Sequence, residues 1–435
     1  MNKLIFSLNK SPNVAFVIFL FFSRILPGQE AFYTDRVFRD DIKSVQLHRS
    51  GWDLSYPIIE LGSEDRLSLS FDELTNQVRN YSWTLEHCDA DWRPSGLAVQ
   101  EYMSGFAQQP VQDYSLSFNT YMNYVHFRVV FPNQEVSILI SGNYVIKVFE
   151  DQDEAHPVLI HRFAVSESTA SISGKASRPV LNDYRNDGHQ INFTVNLGTL
   201  VADDPYSDIK VTIQQNNRWN MSIRDLKPLF VRGNVLEYSQ QSGNIFKAGN
   251  EYRYLDIKSM RYMAEMVRKI DYQPPLYHVY LIPDVPRNNG RYFYHEDLNG
   301  RFYIEVQEGV NRDTESDYVH VHFTLPYEVP LVDGDLYVSG ALNNWECNQV
   351  NRMEYNFEKK AYELDLLLKQ GYYNYEYAFV RKGSAFPDAT FIEGSYYEAE
   401  QDYVIYAYLS TSSSRYDRLI AYQIVNSINK NPSAR

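Results

Sequence analysis

Residues 81–95 read YSWTLEHCDADWRPS, and the placement of the first eight decides the fold. Tyr81, Trp83, Leu85 and His87 recur at every second position, with Ser82, Thr84, Glu86 and Cys88 between them. That alternation is the pattern of a half-buried β-strand. Asp89 and Asp91 then supply turn chemistry, because short carboxylates accept hydrogen bonds from nearby backbone amides. The same five residues, HCDAD, gather an imidazole, a thiol and two carboxylates, which raises the question of a metal or reaction centre. A strand ending there points His87 and Cys88 to opposite faces, so the two do not share one ion. The stretch reads as a strand end and turn, with Trp92 and Pro94 folding back over it.

The period-two pattern continues outward. Val125, Phe127, Val129 and Phe131 alternate before the turn Pro132-Asn133, and GNYVIKVFED (142–151) places Tyr144, Ile146 and Val148 together. Further strands are expected over 157–165, 190–196, 209–214, 252–257, 277–282, 302–307 and 318–325. A last group begins DLYVSGALNNW (335–345), continues with Tyr362, Leu364, Leu366 and Leu368, and includes YYNYEYAFV (372–380), in which Tyr373, Tyr375, Tyr377 and Phe379 alternate. Short strands bounded by Pro, Asn, Gly and Asp predict an all-β chain of tandem immunoglobulin-like β-sandwich domains. The stretch SESTASISGKASRP (166–179) is small and polar and reads as a linker, and PYEVPLVDG (326–334) marks a second boundary. The expected organisation is 29–168, an N-terminal sandwich; 169–328, a middle sandwich with long loops; and 329–427, a C-terminal sandwich. Residues 428–435 read as a disordered tail. Loops over 258–275 and 283–300 are long enough to carry partner contacts. Within the first of them, 260–270 is the best helical candidate and reads equally as strand and loop.

The N-terminus has the three-part layout of a secretory signal peptide over residues 1–28, with an apolar run at 14–22 that is too short to span a bilayer. Its removal takes away Lys3, Lys10 and Arg24 and no acid, carrying the net charge from −14 to −17. An acidic exported chain is repelled by nucleic acid and by anionic membrane surfaces. Its only cysteines, Cys88 and Cys347, lie far apart and do not form a disulfide framework pattern. The 36 tyrosines against 5 tryptophans suit either a half-buried pleated surface or an interface.

No GxSxG elbow, HExxH, phosphate-binding glycine loop or dinucleotide fingerprint is present in the sequence. His320 and His322 share a strand face, a geometry competent for metal, yet the sequence identifies no third ligand. A metal-dependent hydrolase using this pair and a distant carboxylate is one reading of them. The acidic run Glu150, Asp151, Asp153 and Glu154 lacks the glycine and distal glutamate of an EF-hand and reads as a hairpin turn. GALNNW (340–345) is similar to the strand and turn of starch- and glycogen-binding modules, where a Trp stacks on sugar; packing by Trp345 is the simpler account.

Several stretches taken together carry a more specific resemblance. YPIIELG (56–62), NYSWTLEHCDADWRPSGL (80–97), EYMSGF (101–106), DYSLSFNTYMNYVHFRVVFPN (113–133) and SGNYVIKVFED (141–151) resemble the plug protein family of the bacterial type IX secretion system, and AGNEYRYLDIKSMRY (248–262) extends the likeness. The resemblance implies a non-enzymatic periplasmic protein, peripheral to the outer membrane. Its implied role is to close the periplasmic opening of a very large outer-membrane β-barrel translocon subunit when no cargo is being exported. It implies no cofactor, nucleic acid or small-molecule substrate. The loop-rich segment 89–121 is the candidate contact region, with Trp92, Pro94, Tyr102, Phe106, Tyr114 and Tyr121 as its candidate contact residues. The competing reading is a carbohydrate-binding accessory protein using a starch-binding-module-like C-terminal domain.

Overall fold

Tyr81–Cys88 is an inner strand of a twisted sheet. It pairs antiparallel with Gly142–Glu150 from Asn143↔Cys88 to Glu150↔Tyr81. That strand pairs in turn with Pro157–Ser166, which also takes Arg36–Val37 and, in parallel, Ile58–Glu60. The structure is a computed structural model describing residues 32–239 and 242–428. The expected signal peptide and all but the first residue of the expected tail lie outside the described residues.

A second sheet, in the order Ile42–Arg49, Leu67–Glu73, Val125–Phe131, Asp113–Leu116, packs on the first. The alternation in the sequence explains the core between them. Trp83, Leu85, Phe127, Val129, Phe131, Tyr144, Ile146 and Val148 all meet there. Burying each such side chain contributes roughly 1.5–3 kcal/mol. The acidic run forms the expected turn between Gly142–Glu150 and Pro157–Ser166, with the Asp153 amide donating to the Glu150 carbonyl.

The next sandwich departs from the expected boundaries in two ways. Ser171–Ser177, inside the expected linker, is a strand paired at all seven positions with Gly188–Asn196. Its alternate residues Ile172, Gly174 and Ala176 are too small and too few to register as a hydrophobic period. A Cβ on Gly174 would come within 2.9 Å of the Phe193 Cβ, so this small residue allows the two strands and the core beneath them to pack closely. The second departure is one of topology. Asp402–Leu409 pairs antiparallel with Ile209–Gln215, from Ile209↔Leu409 to Gln215↔Tyr403, and on its other side with Arg418–Asn426. The last two strands therefore complete the sheet begun at Ile209, and the boundary expected at 328/329 does not separate them from it. The period-two pattern places a strand at 209–214 but singles out neither of the last two, and it carries no information about a partner so distant in sequence.

The third sandwich is inserted between those strands. One sheet joins Arg253–Asp256, Gly371–Arg381, Phe302–Ile304 and Gly334–Ser339; the other runs Val267–Gln273, Leu276–Leu281, Tyr318–Pro326, Ala361–Lys369, Glu354–Asn356. The helical candidate at 260–270 is instead a loop entering the Val267–Gln273 strand. Tyr373, Tyr375, Tyr377 and Phe379 are buried together, as their spacing predicts. The Tyr375 and Tyr377 hydroxyls each donate to Asp284 Oδ2 at 2.7 Å, and Arg253 Nη1 donates to Oδ1 at 2.7 Å. Much of the tyrosine excess is thus core packing, with phenols such as those of Tyr373, Tyr375 and Tyr377 given partners inside.

Candidate functional site

The HCDADW turn is built by its own carboxylate. Asp89 Oδ1 accepts from the Asp91 amide at 2.8 Å and the Arg93 amide at 2.9 Å. This closes the turn and carries Trp92 into the left-handed region at φ 68°. Trp92 is fully buried. Its ring meets Trp219 edge-on at 4.7 Å, and the Arg162 guanidinium lies 5.3 Å from its centroid. The Ala90 amide donates to Asp417 Oδ2 at 2.8 Å. Trp92, Ala90 and Cys88 from the first sandwich, with Trp219, Tyr406, Tyr408 and Leu419 from the second, form one buried cluster. The segment is therefore the joint between two sandwiches.

His87 and Cys88 do face opposite ways. His87 Nε2 donates to the Ser141 carbonyl at 3.1 Å, and its ring lies among those of Tyr102, Tyr144 and Tyr416. Burial drives its pKa down to about 4. Cys88 is buried against the second sandwich, where burial pushes its thiol well up. Cys88 and Cys347 are both free thiols.

Among the described residues no group of three or more His, Cys, Asp and Glu side chains is placed to hold a metal ion. His320 and His322 are joined by His278 from the neighbouring parallel strand, and His278 Nδ1 lies 2.8 Å from His322 Nε2. The rings stack nearly parallel, His278 on His320 at 4.7 Å and Tyr280 on His322 at 4.3 Å. Two of the ring nitrogens are thus taken up by each other, and His320 Nδ1 is taken by Asp365 Oδ1 at 2.9 Å. Trp345 is likewise occupied: Tyr252 packs edge-on at 5.7 Å and the Arg218 guanidinium covers the ring at 4.6 Å. At 8% exposure it offers no face to a sugar, which removes the feature that motivated the carbohydrate reading.

The six candidate contact residues separate into two classes. Trp92 and Tyr102 are core residues, so neither is available to a partner without unfolding. Their aromatic side chains in a loop-rich segment resemble contact residues in sequence, and only the tertiary fold shows what covers them. Pro94, Phe106, Tyr114 and Tyr121 are exposed. Phe106, 80% exposed, follows Gly105, whose φ of 115° turns the chain outward. It lies beside the sheet that contains Tyr81–Cys88, whereas Tyr114 belongs to the opposite sheet. The structure does not gather these residues into one patch.

Tyr121 does have a defined setting. Asp317 accepts from the Tyr121 and Met122 amides at 2.7 and 3.1 Å, tying this loop to the third sandwich. The Tyr121 ring packs against Tyr272 at 5.0 Å and Tyr277 at 5.4 Å. Tyr121 and Tyr277, with Met260, Arg261, Glu308 and Glu315, border an open groove of about 500 Å³. Tyr262, Met263 and Tyr272 are exposed in the same region. The sequence marked 258–275 as a contact-prone loop without singling out these residues, since an exposed aromatic and a core aromatic look alike without a clear period.

The first sandwich is also the part of this chain that matches a known protein family. The model of the type 9 secretion system plug protein 1st domain matches residues 42–167. Residues 42–167 are a first domain of the type IX secretion system plug protein family. The plug-family match covers both sheets of the first sandwich and includes the HCDADW joint. A crystal structure of a hypothetical protein from Parabacteroides merdae is similar over nearly the whole chain, at 36% identity and a TM-score of 0.88, covering 91% of this chain and 100% of that one. Two other solved structures have negligible structural similarity and carry no argument. They are a Pseudomonas fluorescens alkylpurine DNA glycosylase AlkC bound to DNA (12% identity, TM-score 0.16, 29% of this chain and 30% of that one) and the S. aureus collagen adhesin (7% identity, TM-score 0.11, 90% and 94%). No functionally curated protein matches the chain. Among the described residues no helix is long and apolar enough to cross a membrane, which leaves strands untested in that respect.

Proposed function

We propose that this protein is a non-enzymatic periplasmic plug, one that covers the periplasmic opening of the large outer-membrane β-barrel translocon of the type IX secretion system when no cargo is being exported. The observation that carries this reading is the match of residues 42–167 to the plug first domain. Physical considerations agree with it. A wide barrel left open leaks solutes, so its cover must be folded, water-soluble and stiff. The first and second sandwiches are welded by the buried Trp92–Trp219 cluster, and the first and third by a buried ion pair between Lys369 and Asp72. Exposed aromatics at loop tips, Phe106 and Tyr121 among them, provide contacts that remain reversible.

Affinity purification of the tagged protein from detergent-solubilised outer membranes, followed by mass spectrometry, tests the reading. Co-purification of a giant β-barrel subunit in near-stoichiometric amount is the expected result. Recovery of the tagged protein alone, or with soluble glycan enzymes only, overturns it.

A further inference from the structure

Asp113–Leu116 is the outer strand of its sheet, pairing only with Val125–Phe131, and all four of its residues are exposed. The Ser117 amide donates to the Tyr124 carbonyl at 2.8 Å, which fixes the phase of the ladder. Asp113, Ser115 and Ser117 turn their backbone groups toward the neighbouring strand, and Tyr114, Leu116 and Phe118 turn theirs away from the sheet. The Phe118 amide obeys that phase, since on the outer side it donates to the Thr314 carbonyl at 2.9 Å. Thr314 lies in the short helical turn Arg312–Glu315. One backbone rung beyond the edge is therefore already filled. The outward amides and carbonyls of Tyr114 and Leu116 have no hydrogen-bond partner among the described residues.

The side chains fit the same use. Tyr114, Leu116 and Phe118 share one face and are 48%, 55% and 70% exposed. The Tyr114 ring lies 6.1 Å from that of Phe127 in the core, so this face is the lip of the sandwich interior. Edge strands are ordinarily blunted by lysine, proline or a bulge. The four residues here contain neither residue type, and their register is unbroken. Glu315, next to Thr314, accepts from the Val310 and Asn311 amides and has no cation within ion-pair distance among the described residues.

We infer that the open edge at 113–118 is a strand-addition site that takes an extended segment of the outer-membrane partner. The segment carries apolar side chains at alternate positions, which pack on Tyr114, Leu116 and Phe118. It carries a lysine or arginine where it reaches Thr314, opposite the uncompensated Glu315. This inference rests on the plug reading.

Hydrogen exchange of the protein, free and bound to the detergent-solubilised translocon, tests it, together with two variants. Leu116→Pro removes only the outward amide, which the ladder does not use, so the fold is retained; Leu116→Ala keeps that amide. We expect the Tyr114 and Leu116 amides to exchange at least tenfold more slowly in the complex. Leu116→Pro should weaken binding at least tenfold and Leu116→Ala distinctly less, with unchanged unfolding midpoints. A complex that forms without protection at Tyr114 and Leu116 overturns strand addition and leaves the plug reading standing. Protection that grows with concentration in the free protein assigns the edge to a second copy and also overturns it. Absence of any complex removes both. If Leu116→Pro shifts the midpoint, exchange in the unaltered protein decides.

Discussion

Lys369 Nζ lies 2.7 Å from Asp72 Oδ2, and both side chains are almost completely buried. Asp72 belongs to Leu67–Glu73 of the first sandwich and Lys369 ends Ala361–Lys369 of the third, so the pair ties the two together. Asp72 also accepts from His126 Nδ1 at 2.7 Å and from the Tyr318 hydroxyl at 2.6 Å, and Lys369 donates to the Asp313 carbonyl at 2.8 Å. Burial works to raise the Asp72 carboxyl, but Lys369 and His126 together hold it below the usual carboxylate range. Burial lowers the Lys369 ammonium, with Asp72 opposing.

Lys369→Met removes the ammonium and leaves a buried carboxylate with only His126 and Tyr318 as side-chain donors. Breaking one side of a buried pair costs about 3–5 kcal/mol, whereas replacing both partners costs much less. We expect that loss in urea unfolding of Lys369→Met, and partial recovery in the double variant Asp72→Asn/Lys369→Met. Equal losses in the single and double variants show that packing, not charge, holds the joint.

Stability should fall on mild acidification. Burial drives His87 and His189 to about 4 in the folded protein, against about 6.5 for an unfolded histidine. Between those values the unfolded chain binds protons that the folded chain does not. Stability is then fully present above about pH 6.5 and declines as pH falls toward 4, by at most about 3 kcal/mol for each histidine. Below about pH 4 the lowered Asp72 adds a further loss as it is forced to protonate. His87→Gln keeps a donor for the Ser141 carbonyl but does not titrate. Urea midpoints at pH 7.5, 6 and 5 should fall less steeply for this variant, and an unchanged slope removes His87 from the account.

How far the sequence reveals this molecule follows from the range of each signal. Period-two alternation acts within a strand, so Tyr81–Cys88, Val125–Phe131 and Gly371–Arg381 and their inward faces were legible. Pairing between Ile209–Gln215 and Asp402–Leu409 depends on geometry assembled across the whole third sandwich, and no local pattern carries it. Ser171–Ser177 was hidden because glycine, alanine and serine give no hydrophobic period, although small residues are what that close packing requires. The contact residues were half legible: an aromatic such as Trp92 or Phe106 marks a place where area is buried, and only the fold says whether by this chain or by another.

Trp92 and Phe106 should therefore respond in opposite ways. Trp92→Ala empties a fully buried site between two sandwiches and is expected to cost about 3–5 kcal/mol of stability. Phe106→Ala and Tyr121→Ala touch exposed rings and should change stability by no more than about 0.5–1 kcal/mol. Binding to the solubilised translocon separates the two classes further. A folded Phe106→Ala, Tyr121→Ala double variant with undiminished affinity removes both residues from the contact surface.

The Trp345 site makes the last case, because one backbone position reports on what the tryptophan does. Gly300 has φ 80°, and a Cβ there would come 2.2 Å from Trp345 Cη2 and 2.6 Å from Cζ2. A side chain at that position is strained by the backbone and also collides with the ring, so Gly300→Ala should destabilise by more than about 1 kcal/mol. The ring cannot retreat freely, since Arg218 and Tyr252 hold it on other sides. If Trp345 is a packing residue, Gly300→Ala lowers the unfolding midpoint and shifts tryptophan emission, and adding α-glucans to the unaltered protein leaves that emission unchanged. If Trp345 instead swings out to stack on sugar, α-glucans quench it in a saturable manner. That outcome would restore the carbohydrate reading which its burial argues against.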